Sequence, residues 1–91
     1  MKNKYRGFGS YLRSKRQQAG LTQFEVSSHF GINAQAISNI ERGCAPVPLS
    51  RIQEIIDLYK VDQNEFVERF VKEQEVIVRK FLRPLEEKAQ A

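Results

Sequence analysis

Apolar residues recur at helical spacing along almost the whole chain, and no stretch alternates apolar and polar positions as a half-buried strand would. The spacing, together with capping and helix-breaking residues, predicts five helices. They cover about residues 8–19, 23–30, 34–42, 49–60 and 62–83. The predicted buried stripe of the fourth helix is Leu49, Ile52, Ile55, Ile56 and Tyr59. The pattern therefore predicts an all-α fold.

The second and third helices carry the clearest boundary signals. Thr22 and Glu25 have the spacing of a capping box, in which each side chain bonds the other residue's backbone amide. Gly31 is placed to end the second helix, and Asn33 to cap the third. The few residues between these two short helices let them cross steeply and share a small core, as in a helix-turn-helix. Its predicted apolar positions are Phe24, Val26, Phe30, Ile32, Ile37 and Ile40.

Polar side chains point outward from the third helix. They are Gln35, Ser38, Asn39 and Arg42. An α-helix fits the major groove of DNA, where amide side chains can donate and accept hydrogen bonds at the same time. The first turn of the second helix presents free N–H groups near Gln23, and such a helix end binds phosphate. These features predict double-stranded DNA as the partner.

Fifteen positions match a known family pattern at its own spacing. They are Phe8, Gly9, Arg16, Gly20, Leu21, Thr22, Gln23, Gly31, Ile32, Ile37, Ile40, Glu41, Arg42, Gly43 and Pro48. Over about residues 8–68 the chain resembles the helix-turn-helix proteins of the Cro and phage-repressor class. The resemblance implies a five-helix, lambda-repressor-like domain whose third helix enters the major groove. It also implies a transcriptional repressor that binds a two-fold operator as a homodimer.

The resemblance assigns roles to single residues. The DNA-contacting set is Thr22, Gln23, Ala34, Gln35, Ser38, Asn39 and Arg42. Gln23 is expected at a phosphate, whereas Ala34, Gln35 and Asn39 face bases, with Ser38 beside them. Arg16 and Glu41 match a pair that forms an internal salt bridge. The family often carries basic residues in the loop after the third helix, but residues 44–48 contain none. Arg42, Arg51 or the N-terminal arm would then hold the phosphates.

The fifth helix has two parallel apolar stripes with Gln74 between them. At 1.5 Å per residue it would span roughly 30 Å, and a body of this size can cover only its first half. Leaving the second half in water is unfavourable, which predicts a homodimer interface. The predicted interface residues are Phe70, Gln74, Ile77, Val78, Phe81 and Leu82. The alternative is that this helix folds back as core.

Charge and cysteine content refine this interpretation. The formal net charge is only +4, but six of the fifteen basic residues, and no acid, lie in the first twenty positions. Residues 1–7 are therefore interpreted as a basic arm for a polyanion, with a disordered start as the alternative. The remaining predicted segments are a DNA-binding domain at 8–68, a dimerising extension at 69–83 and a tail at 84–91. With one cysteine and no membrane span or signal peptide, a cytoplasmic location is expected.

No catalytic constellation stands out in the sequence. The eleven carboxylates are scattered, and no Ser, His and Asp set or glycine-rich phosphate loop occurs. His29 and Cys44 are interpreted as a surface residue and a small loop residue, because neither has metal-ligand company. No enzyme activity, cofactor or metal is therefore expected. The competing interpretation is a protein-interaction module, such as an antitoxin or a polymerase adaptor, built on the same fold.

Overall fold

The helix boundaries follow the local signals in the sequence. In a computed structural model that describes residues 6–82, the helices are α1 (Arg6–Gln18), α2 (Gln23–Phe30), α3 (Ala34–Glu41), α4 (Ile52–Tyr59) and α5 (Gln63–Arg79). A single 3₁₀ turn, Leu49–Arg51, precedes α4. The described part contains no strand, so the all-α prediction is confirmed. The predicted tail and most of the basic arm lie outside the described residues.

The caps of α2 and α3 form as predicted. The Thr22 hydroxyl accepts from the Glu25 amide at 3.0 Å, and the Glu25 carboxylate accepts from the Thr22 amide at 2.9 Å. Gly31 ends α2 with φ at 72°, the left-handed conformation in which glycine carries no Cβ penalty. The Asn33 side chain accepts from the Ala36 amide at 2.8 Å. These local bonds fix the short turn between the two helices.

Two helix ends differ from the prediction by three or more residues. The fourth helix opens as a 3₁₀ turn, in which the Arg51 amide donates to the Pro48 carbonyl at 3.0 Å. The fifth helix ends at Arg79 rather than at 83, and a tightened turn follows in which the Leu82 amide donates to the Arg79 carbonyl at 3.2 Å.

One hydrophobic core joins the helices. Its buried members are Phe8, Tyr11, Leu12, Val26, Phe30, Ile37, Val47, Ile55, Ile56, Tyr59, Val61 and Phe66. The Phe8 ring meets Phe66 edge-on, with ring centroids 5.2 Å apart, and Phe70 at 5.4 Å. Such aromatic pairs contribute about 0.5–1.5 kcal/mol each beyond the area they bury. They hold the first half of α5 against α1.

α1 and α3 touch backbone to backbone at Gly9. A Cβ placed there would lie 2.6 Å from the carbonyl oxygens of both Ile40 and Glu41, closer than Cβ atoms come to other atoms. Only glycine therefore allows this crossing. The contact fixes the end of α3 on the body of the domain and so sets the angle at which α3 stands out.

Three predicted core positions are exposed instead. Phe24, on the first turn of α2, is 72% exposed, Leu49, in the 3₁₀ turn, is 71% exposed, and Ile32, in the turn after α2, is 39% exposed. Phe24 does not share the buried side of α2, which Val26 and Phe30 occupy. Leu49 precedes the α-helical backbone whose spacing would have turned it inward. Among the helices of residues 6–82, none is both long and apolar enough to cross a membrane.

Candidate nucleic-acid interface

The inner face of α3 is anchored by a buried ion pair. Arg16 donates from Nε to Glu41 Oε2 at 2.6 Å and from Nη2 to Glu41 Oε1 at 3.1 Å. Its third nitrogen, Nη1, donates to the carbonyl of Leu21 at 2.7 Å. These hydrogen bonds to Glu41 raise the pKa of Arg16 above its ordinary value. The geometry agrees with the salt bridge predicted from the resemblance and ties α1 to the last turn of α3.

Gln23 belongs to the same polar cluster. Its side-chain Nε2 donates to Glu41 Oε1 at 3.0 Å, although 18 residues separate the two positions. The first turn of α2 is thereby attached to the last turn of α3. Gln23 was predicted to contact a phosphate, and nothing in the local spacing signals this bond to Glu41. The phosphate contact stays a prediction.

The start of α2 still offers donors for an anion. The capping box uses the amides of Thr22 and Glu25. The amides of Gln23 and Phe24 lie in the first turn, where a helix has no acceptors of its own to offer them. A helix N-terminus of this kind favours negative charge. Thr22 is exposed at this end, consistent with its predicted place near DNA.

The outer face of α3 carries a row of linked polar side chains, here named the α3 ridge: Gln35, Asn39 and Arg42. Gln35 Nε2 donates to Asn39 Oδ1 at 3.0 Å, and Arg42 Nη2 donates to the same oxygen at 2.6 Å. Gln35 and Arg42 are exposed and Asn39 is half-buried. The structure thus brings three of the predicted DNA-contacting residues into one hydrogen-bonded row. The other two on this helix, Ala34 and Ser38, are half-buried beside it.

The Arg51 side chain contacts residues of α2 and α4 rather than the α3 ridge. Its Nη1 donates to the carbonyl of Phe30 at 3.1 Å and pairs with Glu54 at 3.2 Å, and its guanidinium lies 5.5 Å from the Phe30 ring centroid. The side chain therefore joins the end of α2 to α4. Arg51 was expected as one substitute for the missing basic loop, and both of these polar contacts use Nη1 alone while the side chain is 39% exposed. A phosphate contact by Arg51, Arg42 or the N-terminal arm stays a prediction.

A second row of exposed side chains follows α5, here named the valine row: Val67, Val71 and Val78. All three are about half exposed. The neighbouring face of the helix turns toward the body, with Phe66 fully buried and Ile77 buried.

The predicted dimer residues divide between these two faces. Phe70 is half-buried against the core and Ile77 is buried, so both lie on the covered face. Gln74 is half-buried. Val78, Phe81 and Leu82 are exposed. The interface itself stays a prediction, and two of its predicted members, the half-buried Phe70 and the buried Ile77, are covered within one chain.

Among residues 6–82, no cluster of three or more His, Cys, Asp or Glu side chains is arranged to hold a metal ion. His29 is exposed and its ring meets Phe30 edge-on at 5.1 Å. Cys44 is exposed in the loop after α3.

Comparison with known proteins agrees with this geometry. The helix-turn-helix domain family matches residues 8–68, which include most of α1, all of α2 to α4 and the start of α5. A protein of Pyrobaculum aerophilum that carries the name of an HTH-type transcriptional regulatory protein is 33% identical over 54 residues. Those residues are 59% of this chain and 22% of that protein, so the chain spans about a fifth of its relative's length. On the family match over most of its length, the chain belongs to the helix-turn-helix domain family.

Proposed function

We propose that the protein is a transcriptional regulator of the Cro and phage-repressor kind, which binds double-stranded DNA sequence-specifically and acts as a repressor. The observation that carries the proposal is the α3 ridge, a row of amide and guanidinium groups on the solvent side of α3. The opposite side of α3 is fixed to the body by the Arg16–Glu41 pair and by the close contact at Gly9. A rigidly held helix with polar side chains outward is what the major groove accepts.

The start of α2 supports the same interface. Its first-turn amides face no intrahelical acceptor, and they can bind the phosphate that borders the groove. Because Gln23 bonds Glu41 on α3, the phosphate site and the α3 ridge are mechanically joined. Phosphate contacts set position along the duplex, whereas the ridge reads bases.

Two glutamines allow a matched test of the proposal. Gln35 on the ridge donates to Asn39 four residues later, and Gln53 on α4 donates in the same way to Asp57 at 3.0 Å. DNA fragments bound by the protein are first selected from a genomic pool, and labelled cognate and scrambled duplexes are then titrated. Gln35→Ala is expected to lower the ratio of cognate to scrambled affinity about tenfold, while Gln53→Ala leaves it unchanged. Equal ratios in the two variants would contradict the proposal.

We further propose that two copies pair through the valine row, together with Gln74, Phe81 and Leu82, to bind a two-fold operator. An extended apolar row on one helix face is unfavourable in water and is removed from water by a second such row. On a helical wheel Val76 lies opposite Val78, although both are about half exposed. Light scattering is expected to give the monomer mass for Val78→Asp and the dimer mass for Val76→Asp. A dimer mass for both variants excludes this interface.

The second candidate function is binding to another protein, and two observations favour it. The loop after α3 has no basic residue, and Arg51 is tied to Phe30 and Glu54. An apolar protein interface depends little on salt, whereas DNA affinity falls steeply as counterions are released. A steep loss of duplex affinity between 50 and about 200 mM salt therefore supports DNA binding against this alternative.

A further inference from the structure

The three side chains of the α3 ridge fix one another's hydrogen-bonding direction. The guanidinium of Arg42 has only donors, so the Asn39 atom 2.6 Å from its Nη2 must be the amide oxygen. The same oxygen lies 3.0 Å from Gln35, which must therefore turn its Nε2 group toward Asn39. Chemistry alone thus determines which end of each amide faces the partner.

The groups left over for a ligand differ between the two amides. Asn39 Oδ1 has two lone pairs and receives two donors, so the side chain offers only its NH₂ group. Gln35 uses one of its two Nε2 hydrogens and keeps the other, together with its oxygen. Gln35 therefore presents a donor and an acceptor, whereas Asn39 presents donors alone.

Base edges in the major groove distinguish these two patterns. Adenine shows a donor at N6 beside an acceptor at N7, which suits an amide that can both accept and donate. Guanine shows two acceptors, N7 and O6, which suit a group with donors only. An asparagine free to rotate would instead make the paired contact to adenine.

We infer that α3 reads adenine with Gln35 and guanine with Asn39, and that Arg42 is the positioning residue that makes guanine the preferred base at Asn39. The inference rests on the proposed DNA-binding function and adds the sequence preference of its site. Four residues separate the two amides, which is about 6 Å of helix, so the two bases lie within about two base-pair steps of each other.

Enrichment from a randomised duplex pool tests the inference. The position read by Asn39 is the one whose profile changes in Asn39→Asp. This substitution keeps an oxygen for Arg42 and Gln35 and replaces the outward donor by an acceptor. The preferred base at that position is expected to change from guanine to cytosine, whose N4 donates. The preference at the Gln35 position stays adenine.

Arg42→Met tests the positioning role, because it removes the donors that fix the direction of the Asn39 amide; the remaining Gln35–Asn39 hydrogen bond can form with either amide as the donor. The wild type is expected to favour guanine over adenine about tenfold at the Asn39 position, and the variant to bind both equally. Arg79→Met, at an exposed arginine on α5 that pairs with Glu75, is the control and leaves the profile unchanged. If Arg42 only held a phosphate, Arg42→Met would lower affinity for all sequences by the same factor.

Three results overturn the inference, and they are distinguishable from failure of the proposed function. The first is a wild-type preference for adenine at the Asn39 position. The second is an Asn39→Asp profile that changes at no position, or that changes to a base other than cytosine. The third is a uniform loss of affinity in Arg42→Met. If the wild type enriches no sequence and binds no duplex in a salt-dependent way, the proposed function itself fails and the inference fails with it.

Discussion

The helices α3 and α5 are arranged alike on the body of the domain, but the side chains they expose are polar on α3 and apolar on α5. Each buries one face against the body and exposes a regular row on another face. The exposed row is the α3 ridge of amides and a guanidinium on one helix and the valine row on the other. The exposure of the side chains therefore does not distinguish the two rows, whereas their chemical groups do.

The difference between the rows indicates different partners. Groups on the α3 ridge are directional, because each donor or acceptor can be satisfied only by a complementary atom at a suitable angle. Valine side chains make no directional bonds, and their association is favourable only because apolar surface is removed from water. A directional row suits a base edge, and an apolar row suits another apolar surface such as a second copy of the chain.

The buried sides differ as well. α3 is held by an ion pair in which Arg16 and Glu41 are both buried, whereas α5 is held by the rings of Phe8, Phe66 and Phe70. The Arg16 guanidinium makes two hydrogen bonds to Glu41 and a third to the Leu21 carbonyl, and such directional bonds fix orientation more narrowly than ring packing does. The helix proposed to read DNA is thus the one with the more directional anchor.

The largest expected effect comes from breaking that anchor. Glu41→Ala leaves the buried Arg16 guanidinium without its carboxylate, which is expected to lower the free energy of unfolding by about 3–5 kcal/mol. Urea unfolding at pH 7 measures it. Glu54→Ala removes the exposed pair with Arg51, and we expect less than about 1 kcal/mol. Similar losses of unfolding free energy in the two variants would mean that the buried Arg16–Glu41 pair contributes no more to stability than the exposed Arg51–Glu54 pair.

The next effect is a loss of stability at alkaline pH through Tyr59. Burial, and then the negative charge of Glu41, raise the pKa of Tyr59 to about 12, while Arg16 opposes them. A raised pKa means that the neutral phenol is favoured in the folded state, so stability is complete below about pH 10 and falls as pH rises from 10 to 12. The loss approaches about 2–3 kcal/mol.

Tyr59→Phe isolates this effect from other groups that titrate at high pH. The free energy of unfolding of the wild type minus that of the variant is expected to be constant up to about pH 10 and to fall above it. A difference that stays constant to pH 12 rules out the contribution of Tyr59.

A smaller effect is expected at the start of α2. Thr22→Ala removes the hydroxyl that accepts from the Glu25 amide and should lower the free energy of unfolding by about 1 kcal/mol. Ser28→Ala changes an exposed residue inside the same helix and should be neutral or slightly stabilising. Chemical denaturation of both variants, followed by circular dichroism, makes the comparison. Equal stabilities would show that the cap contributes little.

The smallest effects on stability are expected in the two exposed rows. Gln35→Ala and Val71→Thr, each made in the Val78→Asp background to remove pairing, should change the free energy of unfolding by less than about 0.5 kcal/mol. In the wild-type background, Gln35→Ala should change DNA selectivity, and Val71→Thr should raise the dissociation constant of the dimer. Analytical ultracentrifugation and duplex titration check the two readouts. If each substitution changed both DNA selectivity and the dissociation constant of the dimer, the two rows could not be assigned to different partners.

Local chemistry made the helices and caps predictable. Thr22, Asn33 and Gly31 carry their boundary signals within three or four residues, and the structure forms each one. The Arg16–Glu41 pair came from the resemblance to a family pattern. Phe24 and Leu49 were predicted wrongly, because a two-turn helix and a 3₁₀ turn are too short for helical periodicity to settle which residues face inward.

Long-range contacts were out of reach of sequence spacing. The bond between Gln23 and Glu41 depends on how α2 and α3 cross, and the sequence contains no local sign of it. The two stripes of α5 were visible, but the choice of the buried one depends on where Phe8 lies. The hydrogen-bonding direction of the Asn39 amide is set by Arg42 and Gln35 together. Their spacing suggests that the three side chains are neighbours on one face, but only the structure shows the direction of the amide.

The most direct measurement of the central claim, that α3 reads DNA and α5 does not, is an NMR titration of the labelled protein with a duplex recovered from selection. The largest shifts are expected at the side-chain amides of Gln35 and Asn39 and at the backbone amides of residues 22–25 and 34–42, with residues 67–78 unchanged. Shifts confined to residues 67–78, with the α3 ridge unaffected, would contradict it.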